Sequence, residues 1–173
     1  MPTQASARRI AVPLPAESVI TLRLSAAGLP PCAVGVPLFV ESVACAGQVA
    51  HLHGEDESDG ARVTLWRRRS AEHLLWRLER AGPGTFHLVS CRSGRAWRGA
   101  GAGTGIVAWD TAAAGAEAEL RFEPAEADGS WYIVFAASDL SAHLLCEDVA
   151  DGAALATWPK EARPHHWWRL APA

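Results

Sequence analysis

No stretch of this chain approaches the roughly 18 unbroken apolar residues that a membrane-spanning helix needs. The first residues, Met1 to Arg9, are polar, no apolar core follows them, and Pro13 and Pro15 interrupt the next stretch. No secretion signal is read there, so a cytoplasmic location is the default expectation, and an exported form would need a non-classical route. The four cysteines, Cys32, Cys45, Cys91 and Cys146, form no CxxC pair and show no zinc-ligand spacing. Cys45 and Cys91 fall at similar places in two related segments, which suits small buried hydrophobes better than bridge partners. Nucleophile elbow, phosphate loop and zinc-protease motif are all missing, so no catalytic residue and no cofactor are expected. Charge of one sign is lacking too, with 16 Lys and Arg against 19 Asp and Glu and a net charge of -3. The one dense basic spot, Arg67-Arg68-Arg69, has acids at both ends of its segment and reads as a solvated strand end. Nucleic acid is therefore not an expected partner.

The 173 residues are 49% hydrophobic, enough to bury a core without staples. Richness in Ala, Arg and Gly suggests a GC-rich bacterial genome. The organising feature is an internal repeat of about 46 residues, present three times. Its first copy runs from 37–43 to 74–82, its second from 85–91 to 119–125, and its third from 131–136 to 167–173. The first and third match at a constant offset of 92. His51 pairs with His143, Glu55-Asp56 with Glu147-Asp148, Asp59-Gly60-Ala61 with Asp151-Gly152-Ala153, Trp66 with Trp158, and His73 with His165. From 51 to 78 there are 12 identities in 28 positions. The second copy keeps Trp109 and the ending Leu120-Arg121-Phe122, but carries glycines (Gly99, Gly101, Gly103, Gly105) where the others carry acids.

Each copy reads as four short strands, in the first 37–43, 49–53, 62–67 and 74–79. Apolar and polar residues alternate at Leu38 and Val40 and again at Trp76 and Leu78, as a half-buried strand requires. Asp59-Gly60, Asp151-Gly152 and Asp128-Gly129 supply the positive φ of tight turns. No helical period is sustained. Ala112 to Glu119 has helical propensity but stands where the repeat calls for a loop. Three units of four strands, none able to bury its apolar face alone, predict an all-β protein, a β-trefoil with pseudo-threefold symmetry. The expected organisation is an N-terminal extension at 1–36, with one extra strand at 19–24, followed by a trefoil at 37–173 with lobes 37–84, 85–130 and 131–173.

The third unit, from Leu144-Leu145-Cys146-Glu147-Asp148 through Asp151-Gly152 and Trp158-Pro159-Lys160 to His165-His166-Trp167-Trp168, resembles a lobe of the ricin B-type lectins. The resemblance covers about 37–173. In that family each lobe ends in Gln-x-Trp. Trp76 and Trp168 resemble its Trp and Leu120 replaces it, whereas Leu74, Ala118 and His166 stand where the Gln would be. The resemblance implies shallow sugar pockets. In each, an Asp accepts bonds from two hydroxyls, an aromatic ring stacks on the sugar and an Asn or His adds a further bond. Carried over, these are Asp56, Trp66 and His73 in the first lobe and Asp148, Trp158 and His165 in the third. The second lobe, with Trp109 but neither acid nor His, is expected to be empty.

The chemistry suits such a ligand. A pyranose has a face of C–H groups and an equator of hydroxyls, which an indole and a carboxylate complement. Structural roles stand beside the binding ones. The tryptophans can serve packing, as Trp109 does without an acid. The aspartates can serve the turn three residues on, and the histidines a tight corner before the last strand. His51-Leu52-His53 places two imidazoles on one strand face, but His53 becomes Leu145 in the matched unit, so no metal site is expected. The glycine run 99–105 reads as a loose loop. The expected function is a non-enzymatic carbohydrate-binding protein with up to two sites and a glycan or glycoconjugate as partner. The alternatives are a protein-interaction trefoil, such as a protease inhibitor or docking subunit, and an enzyme built on the trefoil. A protein partner would use the N-terminal extension or the loops 98–104 and 112–118.

Overall fold

Trp76-Arg77-Leu78-Glu79 alternates buried and half-buried side chains along one strand, with Trp76 and Leu78 wholly inside. This alternation, repeated around the molecule, sets a closed barrel. The computed structural model describes residues 32–173, so the strand expected at 19–24 lies outside the described residues. Twelve strands follow in order: β1 (Leu38–Ser42), β2 (Gln48–Leu52), β3 (Ala61–Arg67), β4 (Trp76–Gly82), β5 (Thr85–Ser90), β6 (Ala96–Arg98), β7 (Val107–Trp109), β8 (Leu120–Pro124), β9 (Trp131–Phe135), β10 (Leu140–Leu144), β11 (Leu155–Trp158) and β12 (Trp168–Pro172). The pairings β1–β4, β4–β5, β5–β8, β8–β9, β9–β12 and β12–β1 are all antiparallel and return to their start, which closes a six-strand barrel. The remaining strands form three hairpins, β2–β3, β6–β7 and β10–β11. This is the β-trefoil architecture, and it removes exposed barrel edges.

The three corners of the barrel use equivalent residues. Trp76 pairs with Leu38, Leu120 with Phe86, and Trp168 with Trp131. Trp76, Leu120 and Trp168 are wholly buried in one core cluster. The two indoles donate Nε1–H to equivalent carbonyls, Ala50 at 2.9 Å and Ala142 at 3.0 Å. Trp97 fills the space between them, edge-on to Trp76 at 5.5 Å and to Trp168 at 6.4 Å.

The hairpins interlock head to tail. Gly60 N–H donates to Ala108 O, Gly103 N–H to Thr157 O and Gly152 N–H to Leu65 O, at 2.9, 2.7 and 2.8 Å. Each glycine has positive φ, and each acceptor immediately precedes the third-strand tryptophan of the next unit, Trp109, Trp158 or Trp66. These glycine turns, two of them Asp-Gly, thus fix the rims on which the tryptophans stand.

Two loops differ from expectation. Residues 112–118 form a short helix, α1 (Thr111–Ala114), followed by a 3-10 turn at Gly115–Ala118. Asp110 caps it by accepting from Ala113 N–H at 3.0 Å, and Ala114 and Ala118 bury against Val89 and Ala96. Capping and this apolar seat override the loop the repeat suggested. The glycine run is not loose either. Ile106 N–H donates to Leu155 O, and Thr157 Oγ1–H donates to Gly101 O at 2.6 Å. A Cβ at Gly99 would lie 2.5 Å from Thr157 Cγ2 and 2.8 Å from Phe135, so only glycine fits this approach. The cysteines are free thiols, with Cys45, Cys91 and Cys32 partly covered and Cys146 exposed.

Candidate functional site

Among the described residues, one pair of clefts opens at positions related by the offset of 92. The first, about 400 Å³, is lined by His51, His53, Glu55, Trp66, Arg69 and His73. The second, about 180 Å³, is lined by His143, Glu147, Trp158, Glu161, Arg163 and His165. Four of the six expected site residues, Trp66, His73, Trp158 and His165, therefore come together as two Trp–His pairs.

The floor of each cleft is built the same way. His51 on β2 holds its ring by an Nδ1–H bond to Thr64 O, and His143 on β10 by one to Ala156 O, both at 3.1 Å. A carbonyl can only accept, so both histidines carry the proton on Nδ1 and leave Nε2 as an acceptor. Trp66 leans on His51 at 5.3 Å and 41°, and Trp158 on His143 at 5.8 Å and 37°. Neither indole is sealed in, since Trp66 is half-buried and Trp158 is 40% exposed. Each offers part of a ring to solvent above a buried imidazole. His73 and His165 stand in equivalent 3-10 turns, Glu72–Leu74 and Pro164–His166, that lead into the last strand of their units.

Burial pulls His51, His73 and His143 below the ordinary imidazole value. For His51 the nearby His73, His53 and Arg69 push further down while the Thr64 bond resists. For His73 the Glu55 carboxylate, 3.6 Å from Nδ1, resists while Arg69 and Arg92 push down. Arg69 also donates to His73 Nε2 at 3.3 Å, which places the His73 proton on Nδ1, toward Glu55. His166 is lowered to about 3 by burial, then by His165, His143 and Arg163.

Asp56 and Asp148 stand beside the clefts and close their own turns. Asp56 Oδ1 accepts from Ser58 N–H at 2.9 Å and Ser58 Oγ–H at 2.7 Å, and Asp148 Oδ1 accepts from Ala150 N–H at 2.9 Å. The Ser58 bonds hold the Asp56 carboxyl below its ordinary range. Among the described residues, neither Oδ2 has a hydrogen-bond partner. The matched carboxylates lining the clefts are the preceding residues, Glu55 and Glu147, both exposed, with Glu161 beside Glu147 in the second. Both occupy the left-handed region, at φ 58 and 56°, next to a second left-handed residue, Gly54 or Cys146. Side chains adopt this conformation at a cost, and such positions concentrate at functional sites. The sequence did hold a signal for them, because the Glu-Asp pair is identical in both units. The equivalent second-unit position has no such set. Trp109 there is stacked under the Arg98 guanidinium at 4.6 Å and packs against the Val89 and Ala114 cluster.

A family profile described as ricin-type beta-trefoil lectin domain-like matches residues 72–158, half of the chain. The fold and this match define a lectin-type β-trefoil: the chain belongs to the ricin-type beta-trefoil lectin domain-like family. No curated protein sequence matches it. Among solved structures, the designed threefold-symmetric protein ThreeFoil superposes with a TM-score of 0.73 at 20% identity, over 79% of this chain and 99% of that one. A Macrolepiota procera ricin B-like lectin in complex with lactose gives 0.70 at 20% identity, over 82% and 99%. An exo-beta-1,3-galactanase from Clostridium thermocellum gives 0.75 at 17% identity, over 80% of this chain but 30% of the galactanase. The similarity in each case is one of fold.

Proposed function

We propose that this protein is a non-enzymatic carbohydrate-binding domain with two shallow sugar sites, one in each Trp–His cleft. The observation that carries the reading is the same arrangement built twice: a partly exposed indole leaning on a buried, Nδ1-protonated histidine, with a second histidine and a left-handed glutamate on the rim. The indole face supplies the apolar platform for the C–H face of a pyranose. Glu55 and Glu147 supply ionised acceptors for hydroxyl donors, and the neighbouring Asp56 and Asp148 each keep one carboxylate oxygen outside their turn bonds. His73 and His165 supply the further polar contact. The domain so defined spans 37–173 with lobes 37–84, 85–130 and 131–173, behind an extension at 1–36. Membership in a lectin family and the lactose complex of the Macrolepiota procera lectin support this choice of ligand class.

Open, hydrated sites of this kind bind weakly one at a time, about millimolar or roughly 4 kcal/mol. Two on one rigid domain gain by avidity on a multivalent glycan. A glycan array probed with the wild-type chain and with Asp56→Ala/Asp148→Ala and Glu55→Gln/Glu147→Gln tests the reading. Specific signal from the wild type that is lost in at least one double variant supports it. No glycan signal, or equal signal from all three proteins, overturns it.

A further inference from the structure

The offset of 92 also shows where the third unit departs from the first. Val49 and Leu74 are wholly buried in one apolar cluster with Phe39. Their counterparts Ser141 and His166 are buried just as completely. A hydrogen-bonded polar pair has thus replaced a hydrocarbon pair in the same place. Ser141 Oγ–H donates to Trp158 O at 3.3 Å, and Ser141 Oγ accepts from His166 Nδ1–H at 2.7 Å. His166 Nε2 is left with a bare lone pair and, among the described residues, no hydrogen-bond partner. The first unit shows that the fold does not require this imidazole.

A third replacement accompanies these two. Glu161 stands where the first unit has Arg69. Ligand atoms of Glu161, His165 and His166, one from each, lie within 4.8 Å of one another. Because Ser141 holds the Nδ1 of His166, Nε2 is the atom that residue has to offer. Glu161 and His165 reach this point from the cleft side, and His166 from the core.

We infer that Glu161, His165 and His166 form a binding site for one divalent transition-metal ion of the zinc class. Two imidazoles and a carboxylate are the donor set that zinc, cobalt and nickel take, whereas calcium and magnesium prefer oxygen alone. Zinc bonds of roughly 2.0–2.2 Å place tetrahedral donors about 3.3 Å apart, so the three side chains close by no more than about 1.5 Å on binding. Ser141 plays the outer part, fixing the tautomer and orientation of His166. The ion displaces Arg163, whose Nε lies 3.4 Å from Glu161 Oε2 in an exposed and therefore weak pair. Three protein ligands leave a fourth position open to the cleft. The first unit cannot build this site, since Arg69 puts a cation where Glu161 stands and Leu74 has no donor atom.

The test uses the untagged full chain, stripped with chelator and titrated with zinc by calorimetry and with cobalt by visible absorption. The expected result is one equivalent per chain, with tetrahedral cobalt bands and no thiolate charge-transfer band. Glu161→Gln and His165→Gln should each weaken binding at least tenfold. The double variant Ser141→Val/His166→Leu, which restores the first unit's apolar pair, should keep a cooperative unfolding transition and lose the metal. Failure to bind either ion overturns the proposal. So does a thiolate band, or affinity unchanged in Glu161→Gln and His165→Gln. The readout is metal alone, so its failure leaves the sugar sites untouched.

Discussion

Ser141 Oγ accepts from His166 Nδ1–H at 2.7 Å in a part of the core where the matching first-unit residues, Val49 and Leu74, are hydrocarbon. Two lobes of one chain thus solve the same packing problem with different chemistry. Removing only one partner strands the other: Ser141→Val takes away the one hydrogen bond that, among the described residues, a wholly buried imidazole makes, and should cost about 1–3 kcal/mol. Replacing both, as Ser141→Val/His166→Leu, should be neutral or stabilising. Urea unfolding of the three proteins measures this, and additive losses in the double variant would contradict it.

The indole pair Trp76 and Trp168 sits at two of the three barrel corners, each with its Nε1–H bonded to a buried carbonyl. Truncation to Ala should cost about 3–5 kcal/mol at either position. Trp158→Ala, at a cleft rim and 40% exposed, should cost far less. Thermal unfolding of the three variants separates core from platform.

Gly99 and Gly101 lie two residues apart in one loop but should respond oppositely. An alanine Cβ at 99 meets Thr157 and Phe135 below 3 Å, whereas at 101 nothing lies within 4 Å. Gly99→Ala should destabilise by about 1–3 kcal/mol, and Gly101→Ala should stay within about 0.5 kcal/mol of wild type. Equal denaturation midpoints would show that the loop does not dock on β11 as described.

Stability should also fall as pH drops below 6.5. Burial lowers His51, His73 and His87 from that ordinary value. In this range the unfolded chain takes up protons that the folded chain refuses, so the stabilisation is complete above about pH 6.5 and shrinks toward the lowered folded-state values. Urea midpoints measured from about pH 8 to pH 5, before carboxylates titrate, should decline. A flat profile would mean that these rings protonate freely in the folded state.

Much of the fold was legible because its signals recur. Trp76 and Trp168, the Asp-Gly turns at 60 and 152, and alternation in each last strand all return at one offset, and that recurrence requires closure of the units on one another. The clefts were legible in part. Trp66, Trp158, His73 and His165 carry the repeat signal and do converge. Glu55 and Glu147 were passed over because their orientation depends on a left-handed backbone that residue types do not disclose. For Asp56 and Asp148 the sequence offered both a sugar contact and a turn role, and Ser58 and Ala150 engage one oxygen of each in the turn. The convergence of Glu161 with His166 was hidden because His166 had been set against the family's missing Gln and not against the core it enters. Helix α1 was missed because the Asp110 cap and the seat formed by Val89 and Ala96 outweigh the repeat's preference for a loop.

The most direct test of the account is a calorimetric titration with the strongest array glycan, run on wild type, Trp66→Ala, Trp158→Ala and the double variant. Two sites in the wild type, one in each single variant and none in the folded double variant are predicted. Undiminished binding by the double variant would contradict the central claim that the two Trp–His clefts are where this domain holds sugar.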